Sequence, residues 1–357
     1  MYSGNGDRCI RVGYNKNGEN IEFKDKDGKK FEPGNDKEDT QKDPYLENTW
    51  DEKSKTYTNN TTISGESKDG NGSGVKLSGD LDGMSFINKG TIAGTANEGY
   101  GNGSGIYNEG TITELENNGA IAGTSSGSSG SGIYNYSSGT IETLTNKGTI
   151  AGTSSGEREN GSGIYNKNAT IETLTNKGTI AGTSSGSYGN GSGIYNKDAT
   201  IETLTNNGSI TGTSNSGYGS GIYNQDIPIT ELTNNGSITG TTNASGVYHC
   251  SYGIYNGNNN LEHCTVGTLK NNGTIIGTST ESESYGIYNS GGYIITTLTN
   301  TGVISGKTNA ILNDSATISY ACNYGLLVSK DGSVVENKDN GGDGTVGFAE
   351  DKLGLAF

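Results

Sequence analysis

The chain has 357 residues, of which only 29% are hydrophobic, 61 are glycine and 3 are proline, and its net charge is −15. This is too little apolar material for a layered globular core of this length, and the missing Gly-X-Y period with so little proline excludes collagen. The acidic charge argues against a nucleic-acid partner because it repels phosphates, and no run of 18 or more apolar residues is present for a membrane helix.

Residues 1–56 form the first region and are dense in mixed charge, with the only tryptophan at Trp50. Ile21-Glu22-Phe23 and Lys30-Phe31 flank Asp27-Gly28, a pattern that indicates a hairpin. A repeat protein leaves unpaired strand edges at its ends, which a capping segment covers. We therefore predict a charged N-terminal cap or hairpin region. The chain begins without an apolar stretch typical of a signal peptide.

Residues 57–320 contain an internal repeat with a spacing of about 29 residues. Its main motif is Leu-x-Asn-x-Gly-x-Ile-x-Gly, accompanied by Gly-Ile-Tyr-Asn and by Thr-Ile-x-x-Leu. Each repeat thus contains three short extended segments joined by loops rich in Gly, Ser and Asn. The asparagine of the main motif marks nine copies, at Asn59, Asn88, Asn117, Asn146, Asn176, Asn206, Asn234, Asn271 and Asn300.

The alternation within the main motif indicates how the repeats pack. Its named positions have the same parity, so in an extended chain they share one face, and the bulky Leu and Ile turn that face inward. One repeat cannot bury such a face alone, whereas stacked repeats can. We therefore predict an all-β fold, a right-handed parallel β-helix of about nine rungs with 29–30 residues per rung. A helical solenoid is the alternative, but it needs a period of 3.6 residues.

Stacking of identical rungs turns each repeated position into a column. Ile150, Ile180 and Ile210 should form one such column. The motif asparagines, such as Asn146 and Asn176, should form another, in which the side-chain amides bond from rung to rung.

Residues 321–357 follow the repeat, and here the pattern decays. Apolar runs at 326–328 and 345–348 indicate short strands. We predict closing strands or a truncated remainder.

Repeats of the form Asn-x-Gly-Thr-Ile-x-Gly that alternate with Gly-Ile-Tyr-Asn resemble the β-helical passenger domains of autotransporter (type V secreted) surface proteins. The resemblance covers residues 57–320. It implies a bacterial protein of the cell surface or the extracellular space, often an adhesin. The partners would be a host glycan, an extracellular-matrix protein or further copies of the chain. Membrane attachment is expected only through a barrel that this chain does not contain.

The tyrosine of Gly-Ile-Tyr-Asn follows an inward isoleucine, so it should point outward. Exposed aromatic rings with asparagine nearby suit sugar rings or a partner surface. The alternative is that the tyrosines only stack on one another and stabilise the sheet. The candidate ligand-binding residues, which we call the tyrosine stripe, are Tyr107, Tyr134, Tyr165, Tyr195, Tyr223, Tyr255 and Tyr288.

Four cysteines are too few for a fold held together by disulfides, and they lie at Cys9, Cys250, Cys264 and Cys322. Both histidines of the chain precede cysteines, in His249-Cys250 and His263-Cys264. Three interpretations remain open: a Cys250–Cys264 disulfide that closes an enlarged loop, unpaired cysteines, and a zinc site. Neighbouring strand residues point apart, which disfavours zinc, so we expect no metal.

Two further columns each have a purely structural interpretation and a functional one. Glu142, Glu172 and Glu202 share one repeat position, with Glu114 and Glu231 shifted by one. We expect a solvated acidic stripe, with calcium bridging as the alternative. Thr-Leu-Thr recurs at 143–145, 173–175 and 203–205, which is typical of ice-binding solenoids, although only three successive rungs keep it.

The function that we expect is adhesion or surface display through an elongated, non-enzymatic stalk, with no catalytic residues and no cofactor. The alternative is a β-helical polysaccharide lyase or hydrolase, which needs different ionisable residues to converge in one groove. A structural filament that assembles end to end is the third hypothesis.

Overall fold

The computed structural model describes residues 10–14, 21–24, 30–31, 49–51, 53–68, 70–97, 101–227, 229–244, 249–257, 265–338 and 345–353. These residues form β-strands joined by turns and loops, and the strands build three parallel sheets that wind as a right-handed β-helix. The predicted all-β fold class is confirmed.

Four strands precede the regular winding. They are β1 (Ile10–Tyr14), β2 (Ile21–Lys24), β3 (Lys30–Phe31) and β4 (Thr49–Asp51). β1 pairs with β2, and β2 with β3, in the antiparallel sense. β1 also lies parallel to β7 (Gly72–Leu77), and β4 lies antiparallel to β5 (Thr56–Asn59). β1 and β4 therefore cover the first edges of two sheets of the winding.

The first five turns of the winding contain fifteen strands in a repeating order of three sheets. They are β5, β6 (Thr62–Ser67) and β7; β8 (Asp80–Asn88), β9 (Thr91–Ala96) and β10 (Gly103–Asn108); β11 (Thr111–Asn117), β12 (Ala120–Ser125) and β13 (Gly130–Tyr136); β14 (Thr140–Asn146), β15 (Thr149–Ser154) and β16 (Gly161–Lys167); β17 (Thr170–Asn176), β18 (Thr179–Ser184) and β19 (Gly191–Lys197).

The remaining strands continue the same order to the end of the described chain. They are β20 (Thr200–Asn206), β21 (Ser209–Ser214) and β22 (Gly219–Gln225); β23 (Ile229–Asn234), β24 (Ser237–Thr242) and β25 (Ser251–Gly257); β26 (Thr265–Asn271), β27 (Thr274–Ser279) and β28 (Ser284–Ser290); β29 (Ile294–Asn300), β30 (Val303–Gly306) and β31 (Asn309–Asp314); β32 (Thr317–Asn323), β33 (Leu326–Ser329) and β34 (Val335–Lys338); and finally β35 (Thr345–Leu353).

We name the sheets by the residues that mark their strands. The leucine sheet runs through β5, β8, β11 and every third strand onward, the threonine sheet through β6, β9 and β12, and the tyrosine sheet through β7, β10 and β13. The threonine sheet has ten strands, one for each turn, so the winding has one turn more than the nine motif copies. At about 4.8 Å per turn, ten turns extend over roughly 48 Å.

The core is one continuous cluster of stacked aliphatic side chains. On β17 and β18 the inward residues Ile171, Leu174 and Ile180 are fully buried, as are their counterparts in the neighbouring turns. The pairing aligns Ile150 with Ile180 and Ile180 with Ile210 across adjacent strands. Inward columns of like residues follow from parallel, in-register stacking of one repeated sequence.

Buried polar ladders occupy the three corners between the sheets. At the end of the leucine sheet, the Asn146 amide donates to the Asn176 carbonyl oxygen at 2.8 Å. At the end of the tyrosine sheet, Asn166 donates likewise to Asn196 at 2.8 Å. At the end of the threonine sheet, the Ser184 hydroxyl donates to the Glu159 backbone carbonyl at 3.0 Å. These bonds satisfy polar groups that would otherwise be buried without a partner.

The winding restricts residue type at two kinds of position, one where two sheets approach closely and one where the chain turns. A Cβ atom on Gly182 would collide with the Ser192 carbonyl oxygen, so only glycine allows the threonine and tyrosine sheets to meet there. Asn168 and Asp198 occupy equivalent turns, and each has a φ of 50°, the left-handed region that these residues tolerate. Glycine is thus required where the sheets meet closely, and asparagine or aspartate suits the turns.

Candidate functional site

The tyrosine stripe lies on the outer face of the tyrosine sheet. On β16, Ile164 and Asn166 point into the core and are fully buried, so Tyr165 between them points outward. The parallel register places each stripe tyrosine beside its counterpart in the next turn, from Tyr107 to Tyr288. The column thus follows from strand alternation, and its role in ligand contact stays a prediction.

The stripe tyrosines use much of their ring surface on one another. Tyr165 stacks nearly parallel on Tyr134 and Tyr195, with ring centroids 4.9 and 4.8 Å apart. Tyr223 stacks on Tyr255 at 4.4 Å, and edge-to-face contacts connect the remaining neighbours. Only 6% of Tyr134 and 8% of Tyr165 is exposed. The stacking alternative therefore describes the ring faces in the middle of the stripe. The other stripe tyrosines are half-buried, and ligand contact there stays a prediction.

A second group of aromatic side chains widens the stripe in the later turns. Tyr252 and Tyr285 stand where earlier turns have a serine, as the pairing of Ser220 with Tyr252 shows. With Leu312 they form a buried cluster on the outer face, separate from the interior core. We call these three residues the outer aromatic cluster. Its sequence signal is the change from Gly-Ser-Gly-Ile-Tyr-Asn to Ser-Tyr-Gly-Ile-Tyr-Asn, which lies just outside the motif used to predict the stripe.

Three of the stripe phenols, those of Tyr107, Tyr195 and Tyr288, donate hydrogen bonds to side-chain oxygens. The Tyr107 hydroxyl donates to Glu109 at 2.6 Å, and the Tyr288 hydroxyl donates to Asp314 at 3.2 Å. Burial raises the pKa of both phenols, and the nearby carboxylates raise each pKa further because they disfavour a phenolate. Burial is also the main cause that raises the pKa of Tyr195 to about 12. These phenols therefore offer no nucleophile or base near neutral pH.

The loops between the threonine and tyrosine sheets carry the most exposed aromatic ring described in the structure, Tyr188, which is 56% exposed. The Arg158 guanidinium lies over this ring at 5.5 Å from its centroid. The centroid of the His249 ring lies 6.4 Å from that of Tyr188, and the two rings are tilted by 41°. We call Arg158, Tyr188 and His249 the loop cluster. The sequence motifs give no signal for it, because the three residues come from loops whose paths the repeat does not predict.

The Cys250 thiol is free in the structure, and its sulfur lies 3.9 Å from the Glu283 carboxylate. Burial raises the pKa of this thiol, and so does the charge of Glu283, so a reactive thiolate is disfavoured. His263 and Cys264 lie outside the described residues, and so does Cys9. The predicted Cys250–Cys264 disulfide and the zinc alternative therefore stay hypotheses. Within the described residues, no three His, Cys, Asp or Glu side chains are grouped as metal ligands would be.

The acidic column lies on the outer face of the leucine sheet, where Glu172 and Glu202 are exposed and Glu142 is half-buried. Glu114 pairs in register with Thr143 rather than with Glu142, so the column is offset there. The Thr-Leu-Thr positions align across β14, β17 and β20, with both threonines outward. Calcium bridging and ice binding stay hypotheses for this face.

Comparison with known proteins identified no relative of this chain. No family model matches the chain, and no match was found among curated proteins or among solved structures. In the described part of the chain, we find no helix with the length and apolar character needed to cross a membrane.

Proposed function

We propose that this chain is a non-enzymatic passenger domain of the bacterial cell surface or extracellular space, and that it acts in adhesion or surface display as an elongated stalk. The observation that carries the proposal is the use of the same side chains at the same positions turn after turn. Asparagine, isoleucine and tyrosine columns all make rung-to-rung contacts, so they maintain a long scaffold of roughly 48 Å.

The ionisable side chains of the scaffold support the same interpretation. A polysaccharide-cleaving site needs a raised-pKa carboxylic acid close to a second carboxylate. One carboxyl fits part of this description, because burial and the charge of the neighbouring Asp198 raise the pKa of Asp226. The carboxylates of Glu109 and Glu116 are instead in ion pairs, and the hydrogen bond from Lys147 at 2.6 Å lowers the pKa of Glu116. Such groups are solvated surface pairs.

The loop cluster is the most suitable place for ligand contact. Tyr188 offers a mostly exposed ring for the apolar side of a sugar ring, and Arg158, which lies over the ring, offers hydrogen-bond donors next to it. His249 connects this cluster to the stripe, because the adjacent Cys250 packs against the outer aromatic cluster. A glycan bound at the loop cluster would therefore extend onto the ring edges of the later stripe tyrosines.

The test is binding of the purified, labelled chain to an array of glycans and extracellular-matrix proteins. We expect a specific glycan hit that the substitution Tyr188→Ala weakens on the order of tenfold, as the loss of one stacking contact predicts. Tyr320→Ala is the matched control, since Tyr320 is 48% exposed but lies on the leucine sheet. No hit, or equal losses in both variants, would refute ligand contact at the loop cluster.

A further inference from the structure

The outer face of the threonine sheet differs from the other outer faces because it carries no charge over seven consecutive turns. With 18% of the chain charged, about four of these 21 positions would be charged if charges were spread evenly. The outward positions are Thr91, Ala93, Thr95, Ala120, Ala122, Thr124, Thr149, Ala151, Thr153, Thr179, Ala181, Thr183, Ser209, Thr211, Thr213, Ser237, Thr239, Thr241, Thr274, Ile276 and Thr278.

The face is also flat and made of short side chains. Every residue of β15 pairs in register with its counterpart on β18, and the same holds between β18 and β21. No bulge therefore interrupts the sheet in these turns. Threonine, alanine and serine side chains are short, so a second flat surface can approach this sheet closely.

An aliphatic patch lies at the C-terminal end of the same face. Ile276, Val303, Leu326 and Val328 point outward and are half-buried, while the inward residues between them are buried. The register places Val303 beside Leu326 on adjacent strands. A cluster of four branched aliphatic side chains on the outside of a solenoid marks a surface that another molecule covers.

The other two outer faces are charged. The leucine sheet carries outward glutamates and a lysine at Glu116, Glu142, Glu172, Glu202, Glu231 and Lys270. The tyrosine sheet carries Lys76, Lys167 and Lys197 beside the stripe. Two copies of a chain with a net charge of −15 repel each other, and the repulsion is weakest where the surfaces that meet hold no charge.

We propose that the outer face of the threonine sheet is the interface between two copies of this chain, related by a twofold axis parallel to the solenoid axis. This arrangement places the aliphatic patch of one copy against the same patch of its partner. It also places the threonine hydroxyls, which are both donors and acceptors, opposite one another. An isologous interface needs such self-complementary chemistry.

The dimensions of the face suit a stable dimer. The first strand, β6, carries the outward Glu66, so the uncharged face comprises the nine strands from β9 to β33. Nine strands at about 4.8 Å and about five residues of each strand at about 3.3 Å give roughly 700 Å² per copy. That is close to the area per partner of a standard protein–protein interface, about 800 Å². Two such sheets pack face to face at about 10 Å.

The test is the molar mass of the full chain by sedimentation over a micromolar concentration series. We expect a dimer whose association is weakened on the order of a hundredfold by Val303→Asp with Leu326→Asp, because like charges then meet at the interface. Ala181→Asp tests the middle of the face independently of the patch. Thr175→Asp, on the outer face of the leucine sheet, is the control that keeps the dimer.

Two results would overturn the interface. One is a wild-type chain that remains monomeric throughout the series. The face would then not mediate self-association, and a different molecule with a flat surface would have to cover it. The other is a dimer that both the double variant and Ala181→Asp leave intact while circular dichroism shows that they are folded. Ala93→Cys lies in the central column of the face, near its N-terminal end, where a parallel twofold axis brings a residue closest to its own counterpart. A thiol-specific crosslinker that spans about 10 Å should join the two copies there, with the wild type as background. Failure to crosslink within a proven dimer would contradict the parallel axis.

Discussion

Tyr165 and Asn166 are neighbours on β16, yet they belong to two different kinds of column. Asn166 points inward, is fully buried and donates to Asn196 at 2.8 Å. Tyr165 points outward and stacks on Tyr195 at 4.8 Å. In-register stacking turns every repeated residue into a column, whatever its type. A column on the inner side of the sheet is buried and stabilises the fold, whereas a column on the outer side forms part of the surface.

The largest effect should come from a charge placed on the inner side. We expect Leu174→Asp to destabilise the chain by about 5 kcal/mol or more, because Leu174 is fully buried and the carboxylate would have no partner. Thr175→Asp, one residue later and half-buried on the outer side, should cost less than about 1 kcal/mol. Thermal and denaturant unfolding followed by circular dichroism measures both. Similar costs in the two variants would contradict the inward assignment.

The inner asparagines can be compared with an outer asparagine ladder whose hydrogen bonds have the same length but run in the opposite direction. The Asn176 amide donates to Asn206 at 2.8 Å inside the core, and the Asn235 amide donates to Asn207 at 2.8 Å on the surface. Asn176→Ala also removes a bond to the Ser209 carbonyl and leaves buried groups unsatisfied, so we expect a loss of about 3 kcal/mol.

The control for that prediction is Asn207→Ala, which should cost about 0.5 kcal/mol, since water replaces the lost bond at an exposed position. Denaturant midpoints of the two variants give the comparison. If Asn207→Ala cost as much as Asn176→Ala, burial would not be the factor that separates the two ladders.

The interior could be predicted from the sequence because alternation alone determines which side a strand residue faces. Asn166 has the same parity as Ile164, so its ladder was as predictable as that of the leucine-sheet asparagines, although only the latter was predicted. The bond from Ser184 to the Glu159 carbonyl was not predictable, because its acceptor lies in a loop of the preceding turn. The exposure of Tyr188 depends on a loop path in the same way.

The outer tyrosines should contribute less than the inner asparagines, though more than an exposed ring. We expect Tyr165→Ala to cost about 2 kcal/mol, because the side chain is 8% exposed and stacks on both neighbours. Tyr188→Ala should change the unfolding free energy by less than about 0.5 kcal/mol, since the ring is mostly exposed. Denaturant unfolding measures both variants. A loss of stability in Tyr188→Ala would mean that the loop cluster is structural, which would weaken the adhesion proposal.

The smallest predicted effect concerns the ionisation of a single stripe phenol. Burial is the main cause that raises the pKa of Tyr195 from 10.0 to about 12 in the folded chain. Between pH 10 and 12 the unfolded chain therefore binds fewer protons at this residue than the folded chain does. The stability that this difference contributes is complete below pH 10 and is lost as pH rises toward 12.

For Tyr195 alone that loss amounts to about 1 kcal/mol at pH 11. Tyr195→Phe keeps the ring and removes the phenol, so stability should fall less steeply between pH 9 and pH 11 than in the wild type. The variant also loses the hydroxyl's hydrogen bond to Gln225 at 3.2 Å at every pH. The comparison therefore uses the slope of the unfolding free energy against pH and not its absolute value. Equal slopes would mean that the phenol reaches solvent, and the middle of the stripe would then be open to a ligand.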